Sequence, residues 1–138
     1  FKQKTAYEIS LGLVGSEMCI RDRYILHPLR IMLKTKNEEQ MITAVLHDVV
    51  EKSDVELDHL EIEGFNKDIV AAVDALSRKN DELYDSYISR VLKNKLAIKI
   101  KVIDLMDNIK IHKSNDKKEK ASTKLIQYEN ALSRIKAK

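Results

Sequence analysis

The residues best suited to chemistry are two histidines and two aspartates set inside apolar runs: His27 in YILHPLRIML, His47 and Asp48 in TAVLHDVVEK, and Asp104 in KVIDLMDNIK. An ionisable side chain in such a run needs hydrogen bonds or a metal, because burial without a partner is costly or shifts the pKa. Taken singly, a histidine on an apolar helix reads as a hydrogen-bonded core residue. Taken together, two imidazoles and two carboxylates make a mixed nitrogen and oxygen donor set. It suits one divalent ion, manganese, iron or zinc, and leaves positions open for water. Glu51 and Lys52 follow Asp48 by three and four residues, so on a helix all three share a face. A carboxylate beside an activated water can accept its proton, which makes Glu51 a candidate general base. Its alternative is a solvated glutamate at a helix end. Asp107 and Asn108 lie one turn beyond Asp104 on the same face.

Helices must carry these residues. Met41, Ile42, Val45, Leu46, Val49 and Val50 recur at helical spacing behind an acidic first turn, which predicts one helix from Glu38 to about Lys52. Pro28, the single proline, suits the first turn of a short helix over 25–34 that bears His27. After the turn residues Ser53 and Asp54, VELDHLEIEGF reads as a short helix closed by Gly64, with His59 exposed and inert. Asn66 caps a helix whose stripe is Ile69, Val70, Val73 and Leu76. Leu83, Tyr84, Tyr87, Ile88 and Val91 form the next amphipathic face. Arg78, Lys79 and Arg90 could meet a substrate phosphate, but read first as a solvated charged face. LAIKIKVI, residues 96–103, alternates like a strand. It runs on without turn residues, however, and Leu96, Ile100, Ile103 and Asp104 also fit helical spacing, so a helix is expected. KSNDKKEK reads as a charged turn. Leu125, Tyr128, Leu132 and Ile135 then stripe a C-terminal helix that can dock on the core or pair with a second copy as a homodimer; docking is the expectation. The expected fold class is all-α, a single helical bundle with no repeat or second domain.

Residues 1–23, FKQKTAYEISLGLVGSEMCIRDR, mimic a secretory signal, with Lys2 and Lys4 ahead of an apolar Ile9 to Val14. Back-translation accounts for them better. KQKTAYE matches the flow-cell primer of a short-read sequencing library, and LVGSEMCIRD matches its transposase adapter, with room for an index between. The segment is expected to be an artefact, with authentic sequence from Tyr24 and the natural N-terminus missing. The remaining 115 residues then hold no cysteine and only Gly64 among the glycines. That composition fits a reducing cytoplasm. The segment carries four basic and three acidic residues, so the net charge falls from +3 to +2, which does not argue for nucleic acid. No stretch is long enough to span a membrane.

The order H, HD, D, in the local text YILHPLR, AVLHDVVE and IKVIDLMDN, resembles the HD-domain metal-dependent phosphohydrolases. The chain is most similar to the hydrolase domain of the RelA/SpoT family, which removes the 3'-pyrophosphate from guanosine tetra- and pentaphosphate. The likeness covers roughly Tyr24 to His112. It implies an HD-domain bundle with His27, His47, Asp48 and Asp104 as ligands of one divalent metal, manganese first. It further implies that Glu51 and position 52 are catalytic, that Asn108 positions substrate, and that the partner is a phosphorylated nucleotide. Three positions depart from the family. Its Arg-Lys pair ahead of the first histidine is replaced by the segment above, its Glu-Asp pair reads Glu51-Lys52, and a threonine three residues beyond Asn108 is Ile111. Two further readings therefore stand beside it: an HD phosphohydrolase of another nucleotide, such as a deoxynucleoside monophosphate, and a weakly active module that senses a nucleotide.

Overall fold

The computed structural model describes residues 26–114 and 119–137, so the segment 1–23 and the middle of the expected KSNDKKEK turn, residues 115–118, lie outside the described residues, and the two ends of that stretch, residues 113–114 and 119–120, are helical instead of turn. The fold is all-α, with no strand among the described residues. In chain order the helices are α1 (Leu26–Leu33), α2 (Glu38–Leu46), α3 (Val49–Lys52), α4 (Leu57–Ile62), α5 (Lys67–Leu76), α6 (Tyr84–Val91), α7 (Lys95–Ser114) and α8 (Glu119–Lys136). Their starts follow the short polar residues that the sequence supplies. Asn37 accepts from the Gln40 N–H, Asn66 from the Ile69 N–H and Asn94 from the Ala97 N–H, each satisfying an amide that has no partner inside its helix. Glu56 and His59 form a reciprocal cap on α4, so the exposed His59 serves the helix start. Gly64 closes α4 with φ 91°, a left-handed conformation in which a side chain would clash.

The strand-like LAIKIKVI stretch is helical and forms part of α7. Helix α7 is the centre of the bundle, packing against α1, α2, α5, α6 and α8. Its solvated face is one stripe, Lys95, Lys99, Met106 and Lys110, and on the faces covered by other helices Lys101, Asp104 and Asp107 are buried alongside Ala97, Ile100 and Leu105. Two apolar clusters flank it. One joins Ile31, Leu76, Ile88, Val91, Ile100, Leu105 and Ile135; the other joins Ile42, Leu46, Val49, Leu60, Phe65 and Val73; Met32 packs on both. Helix α8 docks on the core as expected, burying Ala131 and Ile135. Its Arg134 reaches α6 to donate to the Asp85 carbonyl and to Ser89 Oγ.

Three local expectations need correction. The helix expected over Glu38–Lys52 is two helices, α2 and α3, interrupted at His47 and Asp48. His47 Nδ1 contacts the Ala44 carbonyl at 2.6 Å, competing for the acceptor that the Asp48 N–H would use in an unbroken helix. Leu83 is 72% exposed and precedes α6 instead of joining its apolar face. Arg90 is a clamp, not a solvated cation. It holds both oxygens of Glu82 at 2.7 and 2.8 Å and donates to the Asp74 and Ser77 carbonyls, fastening the turn between α5 and α6. Asp81, at the tip of that turn, takes φ 63°, which aspartate tolerates better than most residues.

The clamp gives the fold a pH signature. The guanidinium beside Glu82 lowers its carboxyl from 4.5 to about 2, so the pair stabilises the fold fully above pH 4.5 and is lost as pH falls toward 2. Thermal melts of the chain and of Glu82→Gln should therefore differ at pH 7, and the difference should shrink progressively below pH 4.5.

Candidate metal centre

The interruption between α2 and α3, the first turn of α1 and the middle of α7 converge on one point. His27 Nε2 lies 2.8 Å from Asp104 Oδ1, and His47 Nε2 lies 3.5 Å from the same oxygen. The two imidazole rings meet edge to face with centroids 5.5 Å apart. One donor atom from each of His27, His47 and Asp104 falls within 4.8 Å of the others, an arrangement that can hold a metal ion. Ligands about 2.1 Å from a metal stand roughly 3 to 3.5 Å from each other; the separations at Asp104 Oδ1, 2.8 and 3.5 Å, are close to that.

Both rings are set for that use by their far nitrogens. His47 Nδ1 is tied to the Ala44 carbonyl, and His27 Nδ1 lies 2.6 Å from Asp107 Oδ2. An N–H on Nδ1 satisfies each oxygen and leaves the Nε2 lone pair directed at the cluster, as in many metal-bound histidines. Asp107 is held in turn by a two-pronged contact from Arg30, Nε to Oδ1 at 2.9 Å and an Nη to Oδ2 at 3.0 Å. His47 Nε2 is fully buried and has no hydrogen-bond partner among the described residues, an orphan atom aimed at the carboxylates. A cation between it and Asp104 would supply the missing partner, so the residues present fit a metal.

Charge reinforces the fit. Burial disfavours the ionised form of Asp104, but Lys101, 2.8 Å from Oδ2, with His27 and His47, holds the carboxyl far below its ordinary range. Burial likewise opposes the imidazolium of His47, yet Asp48 and Asp104 outweigh it and push the ring up to about 9. A field that favours a proton there also favours a metal cation. Asp107 is lowered too, burial being overcome by its bonds from Arg30 and His27.

The expected site residues divide as follows. His27, His47 and Asp104 form the cluster. Asp48 borders it, with Oδ2 3.3 Å from His47 Nε2 and 3.1 Å from Lys52 Nζ. Burial works against its charge, but His47 and Lys52 lower its pKa. Glu51 is brought beside the turn after α5, where Oε2 accepts from the Arg78 N–H at 3.3 Å. Burial and the neighbouring Asp48 charge raise its pKa, the direction a proton acceptor needs. Asn108 donates its amide N–H to Asp104 Oδ1 at 3.0 Å, so it supports a ligand as well as lying near the site. Lys101, Asp107 and Arg30 were missed as site residues. Their signal was positional: each lies three residues from a ligand, Lys101 and Asp107 on either side of Asp104 and Arg30 after His27. A cleft of about 640 Å³ between the starts of α2, α5 and α7 is lined by Glu38, Glu39, Lys95 and Lys99 and by none of the expected site residues. No helix among the described residues is long and apolar enough to cross a membrane.

No protein-family model matches the chain, and no curated protein matches it.

Metal titration followed by calorimetry should give one site for a divalent transition metal. His27→Ala, His47→Ala, Asp48→Ala and Asp104→Ala should each weaken it about tenfold or more, roughly 1.4 kcal/mol. Asp107→Ala, which removes only the anchor of His27 Nδ1, should also cost about tenfold. Undiminished binding by Asp104→Ala and His47→Ala would place the metal elsewhere.

Proposed function

We propose that the chain is a metal-dependent phosphohydrolase of the HD type, acting in the cytoplasm on a phosphorylated nucleotide. Manganese is the favoured ion, and guanosine tetra- or pentaphosphate is the substrate favoured by the resemblance to the RelA/SpoT hydrolase domain. One observation carries this reading. Two imidazole Nε2 atoms and a carboxylate oxygen, from the three motifs H, HD and D, lie within 4.8 Å of one another, while the far nitrogens of the two imidazoles are tied to Asp107 and to the Ala44 carbonyl.

A divalent ion held there would lower the pKa of water toward neutrality and offset phosphate charge. The chain's own groups divide the remaining work. His27 and His47 present nitrogen donors whose orientation is fixed by Asp107 and the Ala44 carbonyl. Glu51, with a raised pKa and an exposed side chain, takes the proton from the attacking water. Asn108, one turn beyond Asp104, keeps that ligand oriented and would position a sugar or phosphate oxygen of the substrate. Lys52 sits where the family has a second acid, and its ammonium engages Asp48. That contact favours a second reading, a module that binds the nucleotide and turns it over slowly, because the lysine competes with the metal for the Asp48 charge.

A panel of guanosine polyphosphates and deoxynucleoside monophosphates assayed with manganese separates these readings by product. Hydrolysis of guanosine tetraphosphate at its 3'-pyrophosphate is the expected outcome, and binding without release of product would favour the sensor. Lys52→Asp should raise turnover about tenfold, roughly 1.4 kcal/mol off the barrier. Unchanged turnover at equal metal content would show that Lys52 does not limit the site.

A further inference from the structure

Lys101 is a buried lysine in contact with the candidate metal centre, and neither the cluster nor the hydrolytic steps above assign it a task. It lies one helical turn before Asp104 on α7 and is 8% exposed. Its Nζ sits 2.8 Å from Asp104 Oδ2 and 5.1 Å from the ring centroid of Tyr87. The ring cannot swing away, because the Tyr87 hydroxyl donates to the Leu76 carbonyl at 2.8 Å in the buried core. The ammonium is therefore fixed between an aromatic face and one carboxylate oxygen.

The two oxygens of Asp104 are thereby divided. Oδ2 takes the ammonium, whereas Oδ1 faces both imidazole Nε2 atoms and the Asn108 amide. We propose that Lys101 is a positioning residue that confines Asp104 to a single metal-facing oxygen, keeping one coordination position open for water or a phosphate oxygen. The inference rests on the metal reading above. A free carboxylate can chelate an ion through both oxygens. Here chelation would strip a buried ammonium of the carboxylate oxygen it contacts at 2.8 Å, which is strongly unfavourable. The same positive charge opposes the ion across a short, poorly solvated distance, so the site exchanges affinity for an open position.

The sign of this effect separates it from a packing role. A lysine that only filled space would, when replaced, loosen Asp104 and weaken the metal. A lysine that holds Oδ2 would, when replaced by a neutral side chain, let Asp104 chelate and strengthen the metal. The test is titration of the full chain with Mn2+, followed by electron paramagnetic resonance. Water-proton relaxation counts exchangeable waters on the bound ion. Lys101→Met is expected to bind Mn2+ about tenfold more tightly than the unmodified chain and to lose one exchangeable water. Lys101→Arg, which keeps the charge, should stay near the unmodified chain in both readouts. Equal or weaker affinity with an unchanged water count in Lys101→Met overturns the proposal. If Lys101→Met does not fold, Lys101→Gln decides by the same two readouts: tighter binding with the loss of one exchangeable water supports the proposal, and an unchanged water count overturns it. Failure of the unmodified chain to bind Mn2+ would overturn the metal reading and this inference together, whereas normal binding with unresponsive variants overturns the role of Lys101 alone.

Discussion

The burial of one carboxylate, Asp104, at the middle of the central helix constrains the rest of the molecule. An ionised group in that position is tolerated only when its oxygens are satisfied by charge and hydrogen bonds. Lys101 holds Oδ2 and Asn108 donates to Oδ1, while His27 at 2.8 Å and His47 at 3.5 Å face Oδ1. They come from α1, the break after α2, and α7 itself, so the helices cannot slide against one another without exposing the charge to apolar surroundings. The packing of α7 against five other helices and the chemistry at its centre are two aspects of one constraint.

The outward ring of contacts extends this logic. Arg30 holds Asp107, Asp107 holds His27, and the Ala44 carbonyl holds His47. Each link fixes which nitrogen of a histidine faces the cluster, a choice that decides whether the ring can serve a cation at all. The break after α2 belongs to the same device. It costs helix continuity, but it turns a buried imidazole toward Asp104 and starts the short helix that carries Glu51 and Lys52.

The rim of the site is organised separately. Arg90 fastens the turn after α5 through Glu82, and that turn places the Arg78 N–H against Glu51. Cations that resemble a phosphate-binding set in sequence are thus partly committed to shaping the surroundings of Glu51. Lys52 faces a similar division, since it is exposed but already engaged with Asp48.

Helical periodicity determined that α5, α6 and α8 exist and, Leu83 apart, which of their faces are apolar, because spacing along a helix is a local property of the chain. Local chemistry likewise determined the cap at Asn66 and the left-handed stop at Gly64. The identities of His27, His47 and Asp104 as a group that could hold a metal were legible for a related reason, that a charge inside an apolar run needs a partner, whereas Asp48, expected with them, borders the group. Tertiary structure decided what spacing could not. Residues 96–103 satisfied both a strand and a helix pattern, and only being surrounded by other helices makes an alternating apolar and basic run bury as α7. The turn at His47 arises from a ring competing for a carbonyl, and no periodicity encodes that competition. Arg30, Asp107 and Lys101 are ordinary charged residues until α1 and α7 meet, since His27 and Asp107 are 80 residues apart in the chain. Which oxygen of Asp104 faces the histidines and which faces Lys101 is a property of three-dimensional approach alone.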